Sequence, residues 1–289
     1  MGDQLIRAIA WDGKVRAFAA RTTELAEEMR RRHHASPTAI AALSRTATAG
    51  AMMGAMLKGK EKLTIQIKGG GPLGSIVVDA NAEGHGRGYV DHPGIDLPLN
   101  DSGKLDVAGA VGTDGYLYVL KDLGLKEPYR GSIPLVSGEI AEDIAHYFAK
   151  SEQTPSAVAL GVLVDVDYTV KAAGGFIIQL MPGCTDEEIT GLEQRLSETP
   201  PVSRMLEEGM DLDEILASLL GMVQILDRMD LEFKCNCSRE KIRQMLISLG
   251  KDELDQMIAE DGRAEVICHF CNEIYEIGED ELRALVQNM

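Results

Sequence analysis

Two closely spaced cysteine pairs near the C-terminus constrain this chain more than any other feature of its sequence. Cys235 and Cys237 are one residue apart, Cys268 and Cys271 are two apart, and thirty residues lie between the pairs. Zinc binds four thiolates tetrahedrally, and a short spacing lets one turn supply two ligands. Four buried cysteines without a metal would not explain two such tight pairs. The sequence therefore predicts one zinc ion per chain, held by these four residues.

Two other side chains compete as ligands, but we assign neither of them to the metal. His269 lies between the cysteines of the second pair and should point away from the ion. Cys184 stands alone beside a Pro-Gly turn, and we interpret it as an ordinary thiol. Four protein ligands leave no open position for metal-assisted catalysis. No convincing Ser/His/Asp or Cys/His arrangement is evident either, so we do not expect an enzyme.

The charge of the chain bears on its partners and its location. The net charge is −17, whereas nucleic-acid binding depends on Lys and Arg that displace counterions, so no nucleic-acid partner is expected. No apolar run approaches the length of a membrane span, and no signal peptide is evident at the N-terminus, so we expect a cytoplasmic protein without a membrane partner. Clustered cysteines in a reducing cytosol indicate metal or redox chemistry.

The fold class predicted from the pattern of apolar residues is α+β, with three segments. Residues 1–183 should form a mixed sheet and helix domain, because a tight-turn signal at 11–14 joins two apolar runs and residues 63–68 alternate as in a half-buried strand. Residues 232–289 should form a small α+β zinc module. Residues 184–231 lie between them and are interpreted as an acidic, amphipathic helical linker.

The predicted linker combines dense negative charge with an apolar stripe. Two capping boxes, Thr185 with Glu188 and Asp211 with Glu214, should open helices. The stripe has helical spacing and, if uncovered, offers a surface for unfolded proteins; its members are Leu212, Ile215, Leu216, Leu219, Leu220 and Val223. We expect the zinc module to cover this stripe and to expose it on unfolding.

The residues leave open whether the zinc is structural only or part of a sensor. A module of this size has a marginal core, and metals often supply its stability. Zinc also keeps its cysteines as thiolates, which are the form that oxidants attack. Each cysteine has a neighbour two or three positions away with which a sulfenic acid can condense. Both interpretations are compatible with the pattern.

Several stretches of the sequence form recognisable motifs. In the C-terminal part these are EFKCNCSRE from Glu232, AEDG from Ala259 and CHFC from Cys268. Upstream they are TIQIKGGGPL from Thr64, YF from Tyr147, SEQTP from Ser151, AAGG from Ala172 and QLMP from Gln179. Together, in order and over nearly the whole chain, they resemble the heat shock protein 33 family of bacterial, redox-regulated holdase chaperones.

The resemblance implies a specific mechanism. The reduced, zinc-bound form would be inactive, and oxidants would form the disulfides Cys235–Cys237 and Cys268–Cys271. Zinc would leave, the module and linker would unfold, and the protein would dimerise and hold unfolding clients without ATP. An ATP-driven foldase would receive these clients later.

Two functions from other classes remain as alternatives. A nucleic-acid-binding zinc ribbon would need a basic face, and the net charge opposes it. A thiol–disulfide oxidoreductase would need a cysteine of low pKa at a helix N-terminus, whereas Cys268 and Cys271 are predicted to lie in a hairpin.

Overall fold

The structure is a computed structural model that describes residues 2–289, and it confirms a mixed α+β fold. The chain divides into two compact units, one ending at Lys234 and one spanning Cys235–Met289. Residues 184–231, which we interpreted as a linker, fall within the first unit. The described strands are β1 (Gln4–Ala10), β2 (Val15–Arg21), β3 (Lys62–Lys68), β4 (Ser75–Asn81), β5 (His85–Val90), β6 (Tyr116–Asp122), β7 (Tyr129–Pro134), β8 (Ser156–Val164), β9 (Val170–Leu180), β10 (Val223–Asp230), β11 (Glu232–Phe233), β12 (Arg263–Ile267) and β13 (Ile274–Gly278). The described α-helices are α1 (Thr23–His33), α2 (Pro37–Gly54), α3 (Val107–Val111), α4 (Ala141–Lys150), α5 (Asp186–Glu198), α6 (Val202–Glu207), α7 (Leu212–Leu220), α8 (Arg239–Leu249), α9 (Lys251–Glu260) and α10 (Glu279–Gln287).

Two large sheets form the first unit. One has the strand order β10-β1-β2-β9-β8, and the other has the order β11-β5-β4-β3-β6-β7. The predicted hairpin at residues 11–14 is confirmed, because β1 and β2 pair antiparallel around it. Asp12 and Gly13 adopt left-handed backbone conformations there, which a tight turn requires.

Helix α2 is the central helix of this unit and is buried along almost its whole length. Ser36 caps it by accepting a hydrogen bond from the Ala39 amide, and Pro37 occupies its first turn, as the sequence predicts. Its small residues allow a close approach to β4. A Cβ atom on Gly54 would lie 2.7 Å from the Asn81 carbonyl oxygen, so a larger residue there would force the helix away from the strand.

Helices α5, α6 and α7 pack on the first sheet, on the face opposite α2. Both predicted capping boxes are confirmed, at Thr185 and at Asp211. The apolar side chains of α7 share one buried cluster with residues of β1, β2 and β9. The stripe is therefore covered by strands of its own unit, which corrects the expectation that the zinc module covers it.

The prediction that Val223 continues the helical stripe is wrong. Helix α7 ends at Leu220, where Gly221 takes a positive φ of 77° and its amide bonds to the Ala217 carbonyl oxygen. Val223 instead begins β10 and lies opposite Ala10 of β1. The chain reverses at Gly221, and the next residues join the edge of the sheet. Residues 184–231, which were predicted to be a helical linker, therefore end in a strand.

The second unit is a small α+β module, as predicted. Ser238 caps α8 by accepting from the Lys241 amide, α9 follows, and β12 and β13 form an antiparallel hairpin. Its buried core holds only five apolar side chains, namely Ile242, Leu246, Leu254, Ile277 and Leu282. A core of that size is marginal for a module of 55 residues, a length at which a metal or a disulfide often adds stability.

Candidate metal centre

The hairpin β12–β13 positions the second cysteine pair. Cys268 follows the last residue of β12, and its amide donates to the Glu273 carbonyl oxygen at 3.0 Å. Its own carbonyl oxygen accepts from the Asn272 amide at 2.8 Å. Asn272 has a φ of 57°, a left-handed conformation that asparagine tolerates better than most residues. The chain therefore turns tightly around Cys268 and Cys271, which brings both sulfur atoms to the same side.

The first pair lies directly before helix α8. Cys237 precedes Ser238, the N-cap residue, so its position is fixed by the start of that helix. Arg239 and Arg243 on α8 both pair with Glu281 of α10, and Arg243 Nε lies 2.7 Å from Glu281 Oε1. These ion pairs are largely exposed and contribute little energy each. They connect α8, which follows the first cysteine pair, with α10 of the same module.

The four sulfur atoms form one cluster. All lie within 4.8 Å of one another. Cys235 Sγ is 3.7 Å from Cys268 Sγ, and Cys237 Sγ is 3.2 Å from Cys271 Sγ. Four thiolates around one zinc ion at about 2.3 Å are about 3.8 Å apart along each edge of the tetrahedron. The donor set and its spacing therefore fit a tetrahedral thiolate site.

Electrostatics disfavour four charged sulfurs at this place without a cation. Burial raises the pKa of Cys271, and the hydrogen bond with Cys237 adds to that rise. Burial also raises the pKa of Cys237. A divalent cation reverses this effect, because it is the opposite charge that deprotonated thiols require. The cluster therefore has two electrostatically favourable states. Its thiols are protonated when no metal is bound, and they are thiolates when a metal is bound.

Tyr275 is a partner of the site that the sequence analysis missed. Its hydroxyl donates to Cys237 Sγ at 3.2 Å, and this bond raises the pKa of Tyr275. Hydrogen bonds to ligand atoms orient them and tune the metal, so Tyr275 belongs to the functional site. A hint was available, since Tyr275 falls in the predicted hairpin four residues after Cys271. Nothing in the sequence indicated that Glu281 would form ion pairs with Arg239 and Arg243.

The remaining predicted site residues lie elsewhere. His269 is exposed and does not belong to the sulfur cluster. Cys184 is half-buried in the first unit, where its thiol donates to the Lys14 carbonyl oxygen at 3.5 Å. The five stripe residues of α7 are buried, with exposed fractions of 5% or less.

Comparison with known proteins agrees with this arrangement. The family model described as Hsp33 protein matches residues 3–278. The chain belongs to the Hsp33 family. Its relatives include the 33 kDa chaperonin of Geobacillus kaustophilus, 55% identical over 289 residues, which covers 99% of this chain and 98% of that protein. The 33 kDa chaperonin of Bacillus subtilis is 54% identical over 284 residues, which is 98% of each chain.

A solved structure agrees as well. The crystal structure of the 33 kDa chaperonin, heat shock protein 33 homolog, of Thermotoga maritima matches with a TM-score of 0.93 at 40% identity. The match covers 100% of this Hsp33 chain and 99% of the Thermotoga chain. Between residues 2 and 289, this Hsp33 chain forms no helix of the length and apolarity that crossing a membrane demands.

Proposed function

We propose that this chain is a redox-regulated, ATP-independent holdase chaperone whose zinc-bound, reduced form is inactive. The observation that supports it most is the cluster of four cysteine sulfurs in a module with five buried apolar side chains. Membership of a chaperone family supports client binding, and the cysteine cluster supports redox control. In this proposal the protein is not an enzyme and acts in the cytoplasm.

Cys235, Cys237, Cys268 and Cys271 would hold one zinc ion in the reduced state. When bound, the ion supplies positive charge that keeps the four thiols deprotonated and crosslinks the two cysteine pairs. Structural zinc contributes roughly 10–16 kcal/mol in small peptides, whereas whole domains are stable by only about 5–15 kcal/mol. The module should therefore not stay folded once its cysteines can no longer bind metal.

Oxidation would act on the cysteines themselves. In the zinc-bound form each pair of thiolates would give up two electrons to one peroxide, which takes up two protons from the solvent, so that one disulfide and two waters form. Neither sulfur of a disulfide is a thiolate ligand, so two disulfides remove all four ligands. Two close sulfur contacts in the cluster join one cysteine from each pair. We nevertheless propose the pairs Cys235–Cys237 and Cys268–Cys271, because only sequence neighbours stay close as the module opens.

The opening would reach the segment that precedes the module. Strand β11 ends one residue before Lys234 and pairs with β5 through two residues, and the Lys234 amide adds a bond to the Gly86 carbonyl oxygen, so the chain beside Cys235 is held by a short strand only. Helix α7 is held more firmly, with five buried apolar side chains. Their burial is worth about 1.5–3 kcal/mol each, or about 8–15 kcal/mol together. Ordering the nine backbones of α7 costs about 1–2 kcal/mol each, or about 9–18 kcal/mol.

These two terms nearly cancel, so α7 stays on the sheet only with help from its neighbours. Loss of β10, which follows α7 directly, would remove such help. We propose that the exposed side chains then bind unfolding clients: Leu212, Ile215, Leu216, Leu219 and Leu220, together with Val223 of β10. The dense negative charge of residues 184–232 would keep the opened segment soluble. Hydrogen exchange that remains slow at residues 211–225 in the oxidised protein would contradict this step.

The direct test follows zinc release and client aggregation in the same sample. Peroxide added to the zinc-bound protein should release zinc to a chromogenic chelator and, in step, suppress the aggregation of an unfolding client. Cys268→Ser and Cys271→Ser should break this coupling. Cys184→Ser removes a thiol outside the cluster and should leave it intact. Equal suppression by the reduced, zinc-bound protein would refute the redox control.

Dimerisation of the oxidised protein and transfer of clients to an ATP-driven foldase belong to the same proposal. The alternative, a thiol–disulfide oxidoreductase, is separated from it by an insulin-reduction assay. Cys268 lies at the end of a strand and not at a helix N-terminus, which favours the holdase.

A further inference from the structure

Three of the recognised sequence motifs lie far along the chain from the four clustered cysteines, and they meet in one polar region of the first unit. They supply Tyr147, Glu152 and Gln179. The Tyr147 hydroxyl donates to Glu152 Oε1 at 2.9 Å, and Lys121 forms an ion pair with the same carboxylate. Gln179 is buried and donates from Nε2 to Ser156 Oγ at 3.3 Å. The redox control proposed above uses none of these side chains.

Arg16 of β2 connects the two parts of this region. Its guanidinium donates to Gln179 Oε1, from Nε at 3.1 Å and from Nη2 at 2.6 Å, and lies 5.5 Å from the centre of the Phe18 ring. Burial lowers the pKa of Arg16, and the charge of Glu152 opposes this effect. Glu152 already pairs with Lys121. Within residues 2–289, Arg16 therefore forms hydrogen bonds with an uncharged amide and with no carboxylate.

A second guanidinium, that of Arg7 on β1, lies on the same face of the sheet. Arg7 is directly opposite Phe18, and Arg16 precedes Phe18 by two residues, so the two arginines are diagonal neighbours. Residues in such positions are about 7–8 Å apart, which long side chains can span. The positive charge of Arg7 accordingly lowers the pKa of Arg16 further. Two like charges at this separation are favourable only when an anion offsets them.

One donor of Arg7 lacks an acceptor. Its Nε atom is buried and, in the part of the chain that the structure describes, forms no hydrogen bond. The carboxylate of Asp227 lies 3.7 Å from Nη2 of Arg7, but both side chains are about half exposed, so this pair is weak. Buried donors without an acceptor are rare in proteins and often mark the place of a bound water or ion. The five charged side chains of the region comprise three cations and two carboxylates, namely Arg7, Arg16 and Lys121 with Glu152 and Asp227.

We propose that Arg7 and Arg16 together bind a small phosphate-class oxyanion, either free phosphate or a phosphate monoester. Nε of Arg7 and the Arg16 amino group that Gln179 does not use would donate to its oxygens. Guanidinium groups match phosphate oxygens with parallel, charge-assisted hydrogen bonds. Two such groups on different strands favour a tetrahedral ion, whose oxygens point in several directions, over a planar carboxylate. The proposal goes beyond the holdase function and does not depend on the clustered cysteines, since both arginines lie in the first unit.

The test follows the phosphorus NMR signal of inorganic phosphate as the full-length, zinc-bound protein is added, at an ionic strength held constant with chloride. One saturable site per chain is expected. Arg7→Gln and Arg16→Gln should each raise the dissociation constant at least about tenfold, because each removes charge-assisted hydrogen bonds. Arg31→Gln is the matched control, since Arg31 is exposed and pairs with Glu28 on α1. It removes the same charge and should leave the dissociation constant unchanged.

Circular dichroism checks that the variants are folded, and the partly exposed Arg7 keeps the test valid if Arg16→Gln does not fold. Glycerol phosphate is then added in competition with inorganic phosphate. Displacement assigns the site to phosphate monoesters and its absence assigns the site to the free ion, and both results support the proposal. A titration of the unmodified protein without saturable binding overturns it. Equal weakening by Arg31→Gln, or no weakening by the folded site variants, also overturns it, in favour of diffuse ion association.

Discussion

Leu216→Ala should release helix α7 from the first sheet while the cysteine cluster remains reduced and metal-bound. Leu216 is fully buried in the cluster formed with β1, β2 and β9. Truncating such a leucine costs about 3–5 kcal/mol, from lost burial and from the cavity left behind. A loss of about 3 kcal/mol raises the equilibrium constant for opening of α7 more than about a hundredfold.

The single tryptophan of the chain reports this release. The Trp11 indole donates from Nε1 to the Leu220 carbonyl oxygen at 2.9 Å, and the Arg195 guanidinium stacks over its ring. Arg195 Nε also donates to the Leu219 carbonyl oxygen at 2.6 Å, so both side chains cap the end of α7. Departure of α7 exposes the indole to water, and the fluorescence emission of Trp11 should shift to longer wavelength.

The expected result is a red-shifted Trp11 emission in zinc-bound Leu216→Ala, with faster hydrogen exchange at residues 211–220 and partial holdase activity before any oxidant is added. Ser218→Ala is the matched control, because Ser218 lies on the exposed face of the same helix. The reasoning is refuted if Leu216→Ala shows unchanged emission and exchange with zinc bound. It is equally refuted if α7 opens without any gain in client binding, since the stripe would then not be the client surface.

Three further predictions concern the metal and pH. Chelation of the metal should unfold residues 235–289 and speed hydrogen exchange in α7 and β10, while β1 to β9 stay protected; protection retained in residues 235–289 would contradict the small-core argument. Tyr275→Phe removes the hydrogen bond to Cys237 Sγ and should weaken zinc binding roughly 10–100-fold in competition with a chelator, whereas Tyr116→Phe should not. Burial raises the pKa of Asp3 to about 6 from its ordinary 3.8, although the Glu24 and Leu25 amides both donate to its carboxylate. The folded state therefore binds this proton more tightly than the unfolded state, and the contribution of Asp3 to stability falls by about 3 kcal/mol as pH rises from below 4 to above 6. Urea unfolding at pH 4 and pH 7 should show this loss in the unmodified protein and not in Asp3→Asn; equal pH dependence in the two would contradict it.

The cysteine site could be predicted from the sequence because it depends mainly on residues that lie close together in the chain. The spacing of each pair places two sulfurs on one turn, and Ser238 marks the start of the helix beside the first pair. The clustering of the two pairs required only that a metal bind both. Tyr275 was missed because its role depends on which face of β13 meets Cys237, and that depends on the packing of the whole module.

The surface that covers the apolar stripe could not be predicted in the same way. Helical spacing identified Leu212 to Leu220 as one buried face, and the capping box at Asp211 identified the start of the helix. Spacing does not say which surface covers that face, and the cover proved to be the sheet of the same unit. Val223 also fits a helical period by chance, but Gly221 reverses the chain and β1 offers a free edge. Non-local strand pairing decided its structure.

The small core of the C-terminal module, with five buried apolar side chains, suits the redox control proposed above, because the module then relies on its metal to stay folded. A module with a larger core would stay folded after its thiols were oxidised, and chemical damage at the sulfurs would then leave the rest of the chain unaffected. Under the proposed redox control, selection for sensitivity opposes selection for stability in these 55 residues. Stabilising substitutions at surface positions of α8, α9 or α10 should yield proteins that bind zinc normally and respond poorly to oxidants. Engineers who want a different oxidant threshold can adjust the core and leave every cysteine in place.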